Sequence, residues 1–124
     1  MAKTSFKLKI LYCESDENAL AQQATLVKEA GHQVETALGR KAAEESLRRG
    51  SFDLVILGDT LSKDDRHHLP YMVKKAHAGT RVLVTHAAGA RHHEVDAVVD
   101  SGSDITTLLN AIADLLGKDA VVAR

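Results

Sequence analysis

The chain has 124 residues, 44% of them hydrophobic, which suits one domain with a sizeable buried core. Its 16 basic and 17 acidic residues leave a formal net charge of -1, and aromatics are only 3% with no Trp, so nothing argues for nucleic acid, base stacking or a solvating charged tail. Apolar runs are too short to span a bilayer, Met1 to Lys9 lacks the apolar stretch of a signal peptide, and a lone cysteine, Cys13, builds no disulfide framework, which together read as a cytoplasmic protein.

Leu8 to Cys13 reads as a first strand. Asp16 to Ala30 follows as a helix, with Leu20, Ala24 and Val27 at helical spacing, Ser15 or Asp16 as its N-cap and Gly31 as its stop. Gln33 to Ala37 is a more polar second strand, and Arg40 to Arg49 a short helix closed by Gly50. Phe52 to Leu57 is the clearest buried strand, because its aliphatic run suits a sheet covered on both faces. Gly58 to Asp65 reads as a polar loop. A helix from Arg66 or Leu69 to Ala78 follows, with Pro70 acceptable near its first turn. Arg81 to Thr85 and Ala97 to Val99 are the fourth and fifth strands. Asp104 to Leu116 is an amphipathic last helix ended by Gly117, and residues 118 to 124 read as a frayed tail around a core of about 8 to 117.

Strands alternating with helices imply right-handed crossovers and a doubly wound parallel sheet, with order 2-1-3-4-5 expected. In that topology ligands bind beyond the carboxyl ends of the strands, near the switch between strands one and three. The positions that matter are therefore Cys13 to Asp16, Gly58 to Ser62, Thr85 to Ala87 and Asp100 to Gly102.

At these strand ends, from about Lys9 to Gly117, the chain resembles a receiver domain of the CheY-like response regulators of bacterial two-component phosphorelays. FDLVILGDTLS is similar to the family's third strand and following loop, and Thr85, closing RVLVT, stands at the family's switch Ser/Thr. The resemblance implies a flavodoxin-like fold. It also implies phosphoryl transfer to an Asp carboxylate, with Mg²⁺ held by acids at the end of strand one and a Lys after strand five. Laid on this sequence, the acidic pair becomes Glu14-Ser15, the acceptor becomes Gly58, and the Lys position falls near Ser101. Leu61 and Ser62 occupy the Met-Pro positions, and no Lys lies between Lys75 and Lys118. Glu14, Ser15, Gly58, Asp59, Thr85 and Ser101 thus outline a degenerate phosphoacceptor pocket. The 16 positions from Thr85 to Ser101 (101 − 85) are short of the family's spacing by roughly six residues, about one and a half helical turns, so the fourth helix is expected to be stunted or missing.

The expectation is a pseudo-receiver: not an enzyme, without a cofactor, meeting a signalling protein partner, with no nucleic acid or membrane, and monomeric or weakly dimeric. Its first and last helices are the expected docking face, and the Met1 start is read as an N-terminal or stand-alone domain. One alternative keeps phosphoryl transfer at Asp59 with Mg²⁺ at Glu14, although a one-residue shift along a strand turns a side chain to the other face. Another gathers Glu14, Asp59 and His86 around a metal ion. The seven histidines, His32, His67, His68, His77, His86, His92 and His93, include no HxxxH pair, and solvated surface positions are the preferred reading. Cys13 reads as a packed thiol, and CESDEN lacks the glycines of a phosphate-binding loop. Arg40, Lys41, Arg48, Arg49, Lys74 and Lys75 read as solvated helix faces.

Overall fold

The computed structural model describes residues 8–58, 60–85, 95–99 and 105–122, with side chains described as far as residue 115. The first strand, β1 (Lys9–Glu14), is buried from Ile10 onward. Asp16 then opens α1 (Glu17–Glu29) by accepting the Ala19 N–H at 2.8 Å, as an N-cap carboxylate does. Gly31, at φ +107, takes the left-handed turn that leads into β2 (Gln33–Leu38). Gly39, at φ +86, swings the chain from β2 straight into α2 (Gly39–Arg49). The remaining elements are β3 (Leu54–Leu57), α3 (Lys63–Ala76), β4 (Arg81–Val84), β5 (Ala97–Val98) and α4 (Ile105–Val122).

All pairings are parallel and the strand order is β2-β1-β3-β4-β5, the doubly wound flavodoxin-like arrangement expected from the sequence. Period-2 alternation divides the core into two layers. Leu11, Cys13, Val55, Leu57, Val82 and Val84 face α2 and α3, meeting Leu47, Leu69 and Val73. Ile10, Tyr12, Leu54, Ile56 and Leu83 face α1 and α4, meeting Leu20, Val27, Leu108 and Ile112. Burying these aliphatic side chains is the main favourable term, about 1.5–3 kcal/mol for each one fully covered.

Two helix boundaries differ from expectation. α3 starts at Lys63, earlier than Arg66 or Leu69, because Ser62 accepts the Asp65 N–H at 3.1 Å and Asp64 and Asp65 suit the positive end of the helix dipole. Pro70 therefore falls inside the helix, where its ring is buried although it removes one N–H from the ladder. α4 does not stop at Gly117 but continues to Val122, since a glycine inside a helix costs only about 1 kcal/mol and the residues after it suit a helix. The expected stunted fourth helix, around 90–95, lies almost entirely outside the described residues. No helix among the described residues is long and apolar enough to cross a membrane.

One polar network lies at the amino ends of the strands. Asp96 Oδ2 accepts from Lys74 Nζ at 2.9 Å and from the Val82 N–H at 2.8 Å, and Arg81 approaches its other oxygen at 3.6 Å. Lys74 also reaches the Thr80 carbonyl at 2.6 Å. Lys74 is thus no solvated surface cation: it ties α3 to β4 and to the entry of β5. Partial burial by itself would raise the Asp96 pKa, but the bonds from Lys74 and Val82 and the charges of Lys74 and Arg81 outweigh it and hold the carboxyl below its ordinary value of 3.8. A depressed carboxylate contributes stability that is present above its unfolded pKa and lost as pH falls through the folded one. Between neutral pH and pH values below about 4, the urea midpoint of the native chain should therefore fall further than that of Asp96→Asn, which has no carboxylate to protonate. Parallel curves for the two proteins in urea titrations across this range would refute the assignment.

Candidate functional site

The sheet switches direction between β1 and β3, so the carboxyl ends of these strands and of β4 frame the crevice. The ladder carries on past the strand ends: Gly58 N–H bonds the Cys13 carbonyl at 2.8 Å, and Thr85 N–H bonds the Leu57 carbonyl at 3.0 Å. Glu14 and Gly58 extend the rows of Tyr12 and Ile56, so both belong to the same face of the sheet.

Glu14 is 2% exposed, and its carboxylate lies over Gly58. A Cβ built on residue 58 would fall on the Glu14 carboxyl group, its three nearest atoms being the carboxyl carbon and both oxygens, far inside the 3.0 Å at which one side must move. The space into which a side chain at position 58 would grow is therefore filled by the side chain of Glu14.

Thr60 holds that carboxylate. Its N–H donates to Glu14 Oε1 at 3.0 Å and its hydroxyl donates to the same oxygen at 2.5 Å. The hydroxyl oxygen accepts in turn from the Ser15 N–H at 2.8 Å and the Asp16 N–H at 3.1 Å. One donated and two accepted bonds use the full capacity of a hydroxyl. Thr60 thereby fastens the loop after β3 to the turn between β1 and α1. Leu61 is buried in the α2–α3 layer, its N–H bonds the Gly58 carbonyl at 3.3 Å, and the Arg66 guanidinium donates to its carbonyl.

Of the positions outlined from sequence, the structure brings Glu14 and Gly58 into contact, with Ser15 beside them through its backbone and Thr85 one strand further along the same sheet end. Asp59, His86, His92, His93 and Ser101 lie outside the described residues. Thr60 was not singled out, although its place two residues after Gly58 was a signal for it. Mg²⁺ does not fit the donors described: Glu14 is buried under two neutral donors, the Asp16 carboxylate caps α1, and position 58 offers no oxygen beyond its backbone. Among the described residues no group of three or more His, Cys, Asp or Glu could hold a metal ion.

Two histidines are better placed than solvated surface groups. His77 is half-buried with Nε2 3.1 Å from the Gly50 carbonyl. His32 accepts the Leu8 N–H at Nδ1 at 3.4 Å, and its burial lowers its pKa. His68 approaches Glu44 at 3.8 Å and His67 packs edge-on against Tyr71. Cys13 is fully buried, and that burial, with the Glu14 charge beside it, pushes its thiol far above the range of a nucleophile.

No protein-family model and no curated protein matches the chain. Solved structures do resemble it. NtrX from Brucella abortus, in complex with ATP, aligns with a TM-score of 0.80 at 16% identity over 95% of this chain. This chain spans only 29% of NtrX. The chemotaxis protein CheY4 of Vibrio cholerae gives a TM-score of 0.77 at 17% identity, over 89% of this chain and 99% of its own. The response regulator TrrA of Thermotoga maritima, in complex with Mg²⁺ and BeF, gives 0.76 at 18%, again over 89% and 99%. The chain has a receiver-like fold.

The contact between Glu14 and Gly58 should appear in a double-mutant cycle. Gly58→Ala overpacks an occupied space and should cost about 1–3 kcal/mol in urea unfolding, and the same change in a Glu14→Ala background should cost under about 1 kcal/mol. Equal costs in both backgrounds would show that the two side chains do not compete for one volume. Thr60→Val keeps the shape and removes the hydroxyl, leaving Glu14 and two amides short of a partner. It should lower stability by about 1–3 kcal/mol, whereas Thr60→Ser should recover most of that loss.

Proposed function

We propose that the chain is a degenerate receiver domain that takes part in two-component-type signalling as a phosphorylation-independent protein-interaction module, without enzymatic activity or a cofactor. The observation that carries this reading is the Glu14 carboxylate lying where a side chain at position 58 would stand. In-line phosphoryl transfer to this domain would need a carboxylate at the strand end, open to an incoming phosphodonor. Gly58 supplies no side chain, and among the described residues the acid that lies in that space, Glu14, is buried and held by Thr60. Glu14 cannot rotate outward without breaking two hydrogen bonds and leaving the Thr60 donors without their acceptor.

The receiver-like fold supports placing the module among signalling proteins, and a net charge near zero with few aromatics supports a protein partner over nucleic acid. On this reading the domain presents one surface whatever its phosphodonors do, and a partner recognises that surface directly.

Titration of the isotopically labelled chain with beryllofluoride and Mg²⁺, followed by amide NMR, is the test. Resonances of Glu14, Thr60 and Thr85 are expected to stay in place at concentrations that saturate working receivers. Saturable shifts clustering at these residues and at Asp59 would establish a live pocket and end the proposal in favour of a phosphoacceptor at Asp59.

A further inference from the structure

The exposed surface of α3 is chemically uneven. Lys63, His67, Tyr71 and Lys75 recur every four residues and are all exposed, so they form one outward ridge along the helix. Most other cations of the described chain are already engaged. Arg40, Arg48, Arg49, Lys74 and Arg81 each pair with a carboxylate, Arg66 donates to a carbonyl, and Lys9 lies over the Phe52 ring. Among the described residues whose side chains are placed, Lys28, Lys41, Lys63 and Lys75 have no such partner, and two of these four, Lys63 and Lys75, stand on this ridge.

Two further features set the ridge apart. Tyr71 is 42% exposed, one of only four large apolar side chains exposed among the described residues, and it lies between the two lysines. Its ring meets that of His67 at 5.9 Å and 75°, an edge-on contact that restricts both rings before anything binds. Lys63 occupies the first turn of α3, where the helix dipole disfavours a cation, so its charge does not serve the helix.

We infer that the Lys63–His67–Tyr71–Lys75 ridge of α3 is a docking surface for an acidic protein segment that carries an apolar side chain between its carboxylates. Lys63 and Lys75 stand about 18 Å apart along the helix axis, a span matched by five or six extended residues at roughly 3.3 Å each. A central aromatic ring flanked by unpaired cations offers one partly dry contact with charged ends, the arrangement in which an aromatic anchor supplies affinity and rim charges supply orientation and association rate. The exposed Asp64 beside Lys63 weakens the appeal of this face to a polyphosphate, while leaving room for individual carboxylate–lysine pairs. The inference extends the interaction-module reading to a particular surface and does not involve Glu14, so the peptide experiment and the beryllofluoride titration fail independently.

The probe is a fluorescein-labelled peptide with Glu residues on either side of a central Phe, measured by anisotropy at low salt and by amide NMR. Saturable binding is expected, with shifts centred on α3 and affinity falling as salt is raised. Tyr71→Ala and the double change Lys63→Glu/Lys75→Glu should each weaken binding about tenfold or more, equivalent to about 1.4 kcal/mol. The control Lys28→Glu/Lys41→Glu removes exposed cations on α1 and α2 and should leave it unchanged. Absence of saturable binding, shifts centred elsewhere, or equal weakening by the control overturns the inference. So does tighter binding of a single-stranded RNA oligonucleotide than of the peptide, or self-association that the Lys63→Glu/Lys75→Glu change abolishes in sedimentation.

Discussion

The geometry of the crevice follows from a buried carboxylate that must be kept hydrogen-bonded. An ionised group removed from water without partners costs several kcal/mol or more, and Thr60 meets part of that demand at Glu14 by supplying an N–H and an O–H to the same oxygen. The carboxylate in turn needs volume, and Gly58 provides it by having no side chain. These demands are mutual. A larger residue at 58 removes the space, and loss of the Thr60 hydroxyl removes the partner. Because that hydroxyl also accepts the Ser15 and Asp16 N–H groups, the same constraint fixes the turn into α1 and brings Asp16 to its capping position.

The two ends of the sheet are closed by different means. At the carboxyl ends the described polar groups gather at one buried acid, Glu14, whose Oε1 takes two neutral donors from Thr60. At the amino ends Asp96 gathers two cations and a backbone N–H while remaining partly open to water. The apolar layers between them carry the Tyr12 hydroxyl and the Cys13 thiol, and Ser46 and Thr80 are buried polar groups at their margins. The Cys13 thiol neighbours Glu14 along the strand but points to the opposite face, and burial, helped by the Glu14 charge, raises its pKa and leaves it chemically inert. Arrangement of charge, rather than apolar packing, therefore distinguishes the two rims.

The fold was legible because its signals are local and periodic. FDLVIL reads as a doubly covered strand, Leu20, Ala24 and Val27 read as one helix face, and strand–helix alternation leaves few topologies. The α3 boundary was less so: a run of Ser, Lys and Asp reads as loop until one sees that Ser62 caps it and the acids suit a first turn. At the site, the absence of an acceptor at 58 was plain from Gly58, but its filling by Glu14 was not. Sequence spacing gives the row a residue belongs to, not which side chain claims a shared volume across two strands. Thr60 and the Lys74–Asp96 pair were missed for a related reason, since both act on residues distant in sequence, 46 positions away for Thr60 and 22 for Lys74.

The filled space and the exposed ridge are joined by one short stretch of chain. Leaving Gly58, the backbone passes Thr60, bound to Glu14, then Leu61, buried in the α2–α3 layer, then Ser62, which caps α3. Lys63, the first residue of the ridge, follows immediately. Thr60, Leu61 and Ser62 are each fixed by a bond or by burial, while the ridge itself is carried by the packing of α3 through Leu69 and Val73. A side chain that is part of the protein cannot dissociate, and on the proposed reading the hold of Glu14 on the loop would not depend on a phosphodonor or on Mg²⁺. An ordinary switch would vary the loop by adding and removing an anion, whereas on the proposed reading a resident carboxylate would keep it in one arrangement. A partner that reads the α3 ridge would then meet the same surface at all times, and regulation would rest with the partner's concentration and charge.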